Sequence, residues 1–276
     1  MARGSAPERL SPQKCKLSMP ELKLRTPKTG DSEMTTNEFL SQKKIPRRER
    51  LILALDVPTV DEAKQLAEKL GDSVLFYKLG LQLFMTGGYF ELAEWLRERN
   101  KQIFIDLKFF DVPQTVKNAV KQLARWHAKF ATVHGNDEML RAAVSEKNGI
   151  QILAVTVLTS LDEADMKDLG FQTDIRSVVE SRAKRALEIG CDGLISSGIE
   201  APALRDKFGD KFLIVTPGIR PGSNRPVDDQ KRIVDVEEAF RNGADYIVVG
   251  RPILKAEDQK AAAEAIQARI ASLFPE

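Results

Sequence analysis

From Arg50 onward the chain alternates between short apolar runs and longer stretches with helical spacing. The runs are Leu51–Leu55, Val74–Leu79, Gln102–Ile105, Phe130–Val133, Ile150–Val157, Gly193–Ser196, Phe212–Val215 and Tyr246–Val249. Runs this short, with no polar face, suit parallel strands buried on both sides. The stretches between them read as amphipathic helices. Thr59 with Glu62 makes a capping-box pattern, followed by an apolar stripe of Val60, Ala63, Leu66, Ala67 and Leu70. Leu92, Trp95 and Leu96 share a helical face, as do Ala262, Ile266, Ile270 and Leu273. Eight strand–helix pairs in 227 residues, 50–276, predict a single (β/α)8 TIM barrel. A doubly wound open sheet is the rival. It is disfavoured because no Gly-x-Gly-x-x-Gly turn follows the first run.

Residues 1–49 have a different texture. Pro7, Pro12, Pro20, Pro27 and Pro46 interrupt a Ser-, Thr- and Lys-rich stretch with no sustained apolar period. It is expected to be a mostly disordered leader. Met34 offers an alternative start, and a targeting or partner-binding arm is another reading of the same segment. The leader holds 11 Lys or Arg against 6 acids, so it carries +5 of the formal net charge of +2 and the remainder carries −3. A slightly acidic barrel gives no sign of a nucleic-acid partner. Cys15 and Cys191 form neither a disulfide framework nor a metal spacing, which fits a reducing cytoplasm. No apolar run approaches the ~20 residues needed to cross a bilayer, so no membrane partner is expected.

In such a barrel the chemistry lies at the carboxyl ends of the strands. The first run ends in Asp56, and the second carries Lys78. The third ends in Asp106 and Lys108, with Asp111 on the loop before Pro113 starts a helix. The fifth runs into Thr159 and Ser160. The seventh and eighth run into Gly218-Ile219-Arg220 and Gly250-Arg251. Gly lets backbone approach a ligand, and Arg supplies a fork for phosphate oxygens. Each turn alone could be a tight turn with a surface arginine. Together they favour phosphate binding where these barrels usually hold it. Residues two apart in a strand face the same way, so Asp106 and Lys108 are expected to project together into the mouth. Lys78 joins them from the next strand. Burial would tend to deprotonate a lysine, but flanking carboxylates keep it an ammonium, and the group titrates as a coupled set. An ammonium between carboxylates can donate a proton to a developing carbanion. A purely structural ion network is the alternative.

The run Asp106-Leu107-Lys108-Phe109-Phe110-Asp111-Val112-Pro113-Gln114-Thr115 resembles the signature of the orotidine 5'-phosphate decarboxylase family. The resemblance spans Leu51 to about Ser272. It includes Leu53-Ala54-Leu55-Asp56, Tyr77-Lys78-Leu79-Gly80, Val155-Thr156-Val157-Leu158-Thr159-Ser160, Thr216-Pro217-Gly218-Ile219-Arg220-Pro221, Asp229-Gln230-Lys231-Arg232 and Val248-Val249-Gly250-Arg251-Pro252. It implies decarboxylation of orotidine 5'-phosphate to uridine 5'-phosphate without metal or cofactor. Lys108 would protonate C6 as carbon dioxide leaves. Asp106 would lie against the scissile carboxylate and hold Lys108. Lys78 would pair with Asp106 and contact the ribose, whose hydroxyls Asp56 would bind. Thr159 and Ser160 would address the pyrimidine. Arg220, Gln230, Gly250 and Arg251 would hold the phosphate. Asp111 and Thr115 would complete the site of a partner subunit in a homodimer.

Two positions depart from the family pattern. Phe110 stands where bacterial relatives commonly carry His, and Val133-His134-Gly135-Asn136-Asp137 lacks the usual Gly pair. The only histidines, His127 and His134, have no metal-ligand or triad spacing, so packing or hydrogen-bonding roles are expected. Two alternatives carry other functions. One is a Mg-dependent sugar-phosphate decarboxylase or aldolase of the same superfamily, which shares Asp-x-Lys-x-x-Asp. The Pro113-Gln114-Thr115 continuation and the Gln230 loop argue against it. The other is a non-catalytic nucleotide-binding barrel, against which the complete set of charged positions argues.

Overall fold

All eight apolar runs form strands that close on themselves. The computed structural model describes residues 39–134, 136–222 and 232–275. The strands are β1 (Leu51–Ala54), β2 (Phe76–Gly80), β3 (Gln102–Phe109), β4 (Phe130–His134), β5 (Gln151–Val155), β6 (Gly193–Ile195), β7 (Leu213–Thr216) and β8 (Tyr246–Val249). They are parallel and make a closed barrel in sequence order, with β8 pairing back to β1. Helices fill the intervals and cover the outside. Thr59 caps the helix Val60–Leu70 by accepting the Glu62 N–H, as its spacing predicts.

The two-residue period of the strands sorts side chains into two cores. Leu51, Leu53 and Leu55 face the helices, whereas Ile52 and Ala54 face the lumen. The lumen also holds Phe76, Phe104, Phe130, Leu153, Leu213, Val215, Tyr246 and Val248. Aromatic rings fill its lower half. Phe130 lies 5.1 Å from both Phe76 and Tyr246, and 5.8 Å from Phe104, centroid to centroid. The barrel is thus solid below and open to chemistry only above.

The described residues include a segment before the change of sequence texture at Arg50. The leader is expected to run to Glu49, but residues from Phe39 pack on the barrel floor. Asp245, fully buried, is the reason. Its carboxylate accepts from the Ser41 hydroxyl at 2.5 Å and from Lys43 Nζ at 3.0 and 3.1 Å. It also takes Arg205 Nη2 at 2.7 Å and the Ile214 N–H at 2.9 Å. Arg50 ties the strap down, donating to the carbonyls of Asp245 and Lys43. Polar residues that look like a solvated tail in the sequence find their partners here. Among the described residues, no helix is long and apolar enough to cross a membrane.

Candidate active site

The same two-residue period that fills the lumen builds the mouth. One step beyond Ala54, Phe76, Phe104 and Phe130 stand Asp56, Lys78, Asp106 and Thr132. Polar side chains therefore form a layer directly above the aromatic one. Asp106 is at its centre and is buried. Lys108 Nζ donates to both its oxygens at 2.9 Å. Lys78 Nζ lies 3.2 Å from Asp106 Oδ2 and 3.6 Å from Asp56 Oδ1. The lysines differ in access, with side-chain exposures of 34% for Lys108 and 13% for Lys78. Lys108 thus presents its ammonium to the mouth while Lys78 stands behind.

Electrostatics follow from this layout. Burial alone would push the Asp106 carboxyl up, but Lys78, Lys108 and the Thr132 hydroxyl outweigh it and hold it below the ordinary carboxylate range. Burial would likewise lower Lys78, yet Asp106 and Asp56 together raise it above its ordinary value. Both groups therefore stay charged at neutral pH.

Lys108 reaches its place by a different route from the regular alternation expected. The β3–β4 register slips between Ile105 and Phe109, and Lys108 sits in the left-handed region at φ 47°. A non-glycine residue there costs on the order of 1–3 kcal/mol and is kept only where its surroundings enforce it. Thr132 is the enforcer. Its hydroxyl accepts the Lys108 backbone N–H at 3.0 Å and donates to Asp106 Oδ1 at 2.9 Å. In the sequence Thr132 stands as one polar residue inside the apolar run of β4, with no local signal of this role. Gly80, seen in the sequence only as part of a motif, stands against the same cluster. A methyl group there would lie 3.3 Å from Lys78 Nζ and 3.5 Å from Asp56 Oδ1.

The remaining predicted positions ring the mouth. Thr159 is buried at the exit of β5, with Ser160 beside it. After β7, Gly218 adopts φ 77°, and the turn is pinned by Arg220 N–H to the Val234 carbonyl at 3.0 Å. Arg220 is itself buried. Gly250 and Arg251 follow β8, with Gly250 placed so that an added methyl would lie 3.8 Å from Asp56 Oδ2. Gln230 lies outside the described residues, as does Gly135. Asp111 and Thr115 are not brought into the cluster of their own chain. Both are exposed, beside Phe110 at 67% and Val112 at 63% exposure. Asp111 Oδ1 accepts the neighbouring Val112 N–H at 2.6 Å.

The histidines and the buried cysteine have other surroundings. Burial first, then the positive charges of Arg182 and Lys108, push His134 below its ordinary value, and its ring meets Phe110 edge-on at 5.5 Å. His127 closes a turn at φ 50°. Burial pushes the Cys191 thiol up to about 12, so it is no nucleophile at neutral pH. Among the described residues, nowhere do three His, Cys, Asp or Glu side chains gather to hold a metal ion.

Residues 49–266 match the family described as "Orotidine 5'-phosphate decarboxylase / HUMPS family". The chain is 59% identical over 236 residues to the orotidine 5'-phosphate decarboxylase of Methylococcus capsulatus, covering 86% of this chain and 98% of that protein. It is 51% identical over 225 residues to the enzyme of that name from Xanthomonas oryzae pv. oryzae, covering 80% and 92%. The crystal structure of orotidine 5'-phosphate decarboxylase from Lactobacillus acidophilus superposes with a TM-score of 0.71 at 36% identity, over 80% of this chain and 99% of that one.

Proposed function

The chain belongs to the orotidine 5'-phosphate decarboxylase / HUMPS family, and we propose that its barrel mouth works by protonation from Lys108. It is a carboxy-lyase that converts orotidine 5'-phosphate to uridine 5'-phosphate in pyrimidine biosynthesis. One observation carries the mechanistic reading. A half-exposed ammonium is held 2.9 Å from both oxygens of a buried carboxylate, with a second ammonium behind.

The bond between C6 and the carboxyl carbon breaks, and its electron pair stays on C6. A proton passes from Lys108 Nζ to C6, carbon dioxide leaves, and Lys108 is left as the neutral amine. An ammonium already fixed beside that carbon stabilises the charge as it forms, without reorganisation. Asp106 lies against the substrate carboxylate and holds Lys108. Lys78 secures Asp106 and contacts the ribose, and Asp56 takes the ribose hydroxyls. Thr159 and Ser160 address the pyrimidine. Arg220, Gln230, Gly250 and Arg251 hold the phosphate, whose binding energy is used at the distant reacting carbon.

The exposed Phe110-Asp111-Val112 edge and Thr115 serve the site of a second copy. The working unit is a homodimer with shared sites, acting in the cytoplasm. Mixing an Asp111→Ala chain with a Lys108→Ala chain tests this. Recovered activity, from heterodimers with one intact site, supports sharing, and no recovery despite confirmed subunit exchange contradicts it. The reaction itself is tested by following the absorbance of orotidine 5'-phosphate in excess chelator. Full turnover is expected, and activity that vanishes with the chelator and returns with Mg2+ would overturn the metal-free mechanism.

A further inference from the structure

An ion pair behind the exit of β5 has no part in the roles above. Glu200 directly precedes the helix Ala201–Phe208. Its Oε2 accepts the Ser197 N–H at 3.0 Å, the Ser197 hydroxyl at 2.6 Å and the Ser196 hydroxyl at 3.3 Å. Its Oε1 takes one arm of the Arg232 guanidinium. The other arm donates to the Leu158 carbonyl at 2.8 Å and more weakly to that of Val157 at 3.4 Å. One planar fork therefore joins the exit of β6 to the exit of β5. Arg182 holds the root of the same loop, donating to the Thr156 carbonyl at 2.6 Å.

Burial makes this pair hard to explain by stability alone. The side chains are only 13% and 11% exposed, and Ser196 and Ser197 are fully buried. Desolvating two ions costs several kcal/mol each, and apolar replacements of a buried pair are often as stable or more so. What the pair supplies is fixed geometry. The Leu158 carbonyl shares a planar peptide unit with the nitrogen of Thr159, so a shift in one carries the other. A displacement of about 1 Å at a positioning group can cost on the order of 100-fold in rate.

We propose that Glu200 and Arg232 are positioning residues that fix the β5 exit loop, so that Thr159 and Ser160 meet the pyrimidine in register. This rests on the reading of Thr159 and Ser160 as the base-recognising pair. The pair acts through the loop rather than on the substrate. Its loss is therefore felt at the base and not at the phosphate.

The test measures kcat/KM for orotidine 5'-phosphate, and the affinities for uridine 5'-phosphate and ribose 5-phosphate, in Glu200→Gln, Arg232→Met and Arg232→Lys. Thr159→Val and Ser160→Ala run in parallel, and thermal melts confirm folding. Glu200→Gln and Arg232→Met should each lower kcat/KM and uridine 5'-phosphate affinity about tenfold or more, while ribose 5-phosphate affinity stays within about twofold. Arg232→Lys keeps the charge without the fork, and should fall between the parent and Arg232→Met. The double variant Glu200→Gln/Arg232→Met should be no worse than Arg232→Met. The proposal is overturned if the two single replacements leave the preference for uridine 5'-phosphate over ribose 5-phosphate unchanged, or weaken both ligands equally. If Thr159→Val and Ser160→Ala lower that preference in the same experiment, only this proposal falls. If they too leave it unchanged, the base-recognition reading falls with it.

Discussion

Replacing Thr132 by Val keeps its shape and removes one hydroxyl on which the cluster geometry depends. Thr132 is completely buried. Two contacts disappear together, the 3.0 Å bond from the Lys108 N–H and the 2.9 Å bond to Asp106. The first leaves a peptide N–H without its acceptor, at about 1–3 kcal/mol, and the second removes a bond to a charged group worth about 1.5–3 kcal/mol. They share one hydroxyl and do not add fully, so a stability loss of about 2–4 kcal/mol is expected. For a barrel of this size that lowers the melting midpoint by roughly 5–15 °C. The effect on rate has a separate origin. Without its anchor the left-handed Lys108 backbone can relax, and its ammonium moves off the position of C6. We expect kcat to fall by about 10- to 100-fold, read by the absorbance assay well below the variant's melting point. Thr132→Ser should restore most of both losses. A Thr132→Val enzyme that melts early yet turns over at the parent kcat would refute the link between this hydroxyl and catalysis.

Other expectations follow from the same geometry. Asp106, held below the ordinary carboxylate range, contributes stability above the unfolded-state value that is lost as pH falls through its depressed folded value. Lys78, held above its ordinary value, contributes stability that is complete below the unfolded-state value and lost as pH rises through the folded one. Urea melts across pH should therefore show a shallower acid decline in Asp106→Asn and a shallower alkaline decline in Lys78→Met than in the parent. Asp245→Asn strands Lys43 and Arg205 on the barrel floor, and should cost about 3–5 kcal/mol in urea melts while kcat/KM at low temperature stays at the parent value. Gly80→Ala places a methyl group 3.3 Å from Lys78 Nζ, so the fold should survive while KM rises and kcat drops.

The barrel was legible because its strands are buried on both faces, and such strands announce themselves as short, uniformly apolar runs. Asp56, Asp106 and Lys108 were legible as charged residues just after those runs, and Lys78 as the charged residue near the end of its own run. The means by which Lys108 reaches Asp106 was not. A register slip between β3 and β4 depends on a hydroxyl 24 residues away, and nothing local to Lys108 signals it. Thr132 was passed over for the same reason, since Thr is a common strand residue and its partners lie on another strand. The strap from Phe39 to Glu49 reads as a basic tail because its charges are visible in the sequence and their buried acceptor, Asp245, is some 200 residues on. Arg232 was seen only as part of a motif, because Glu200, its partner, is 32 residues earlier and in a different loop.

The central claim is that Lys108 supplies the proton and the charge at the reacting carbon. Lys108→Ala, assayed with orotidine 5'-phosphate in chelator and titrated with uridine 5'-phosphate, tests it most directly. The account predicts that turnover falls to the limit of detection while uridine 5'-phosphate still binds. A Lys108→Ala enzyme that decarboxylates at the parent rate would contradict it.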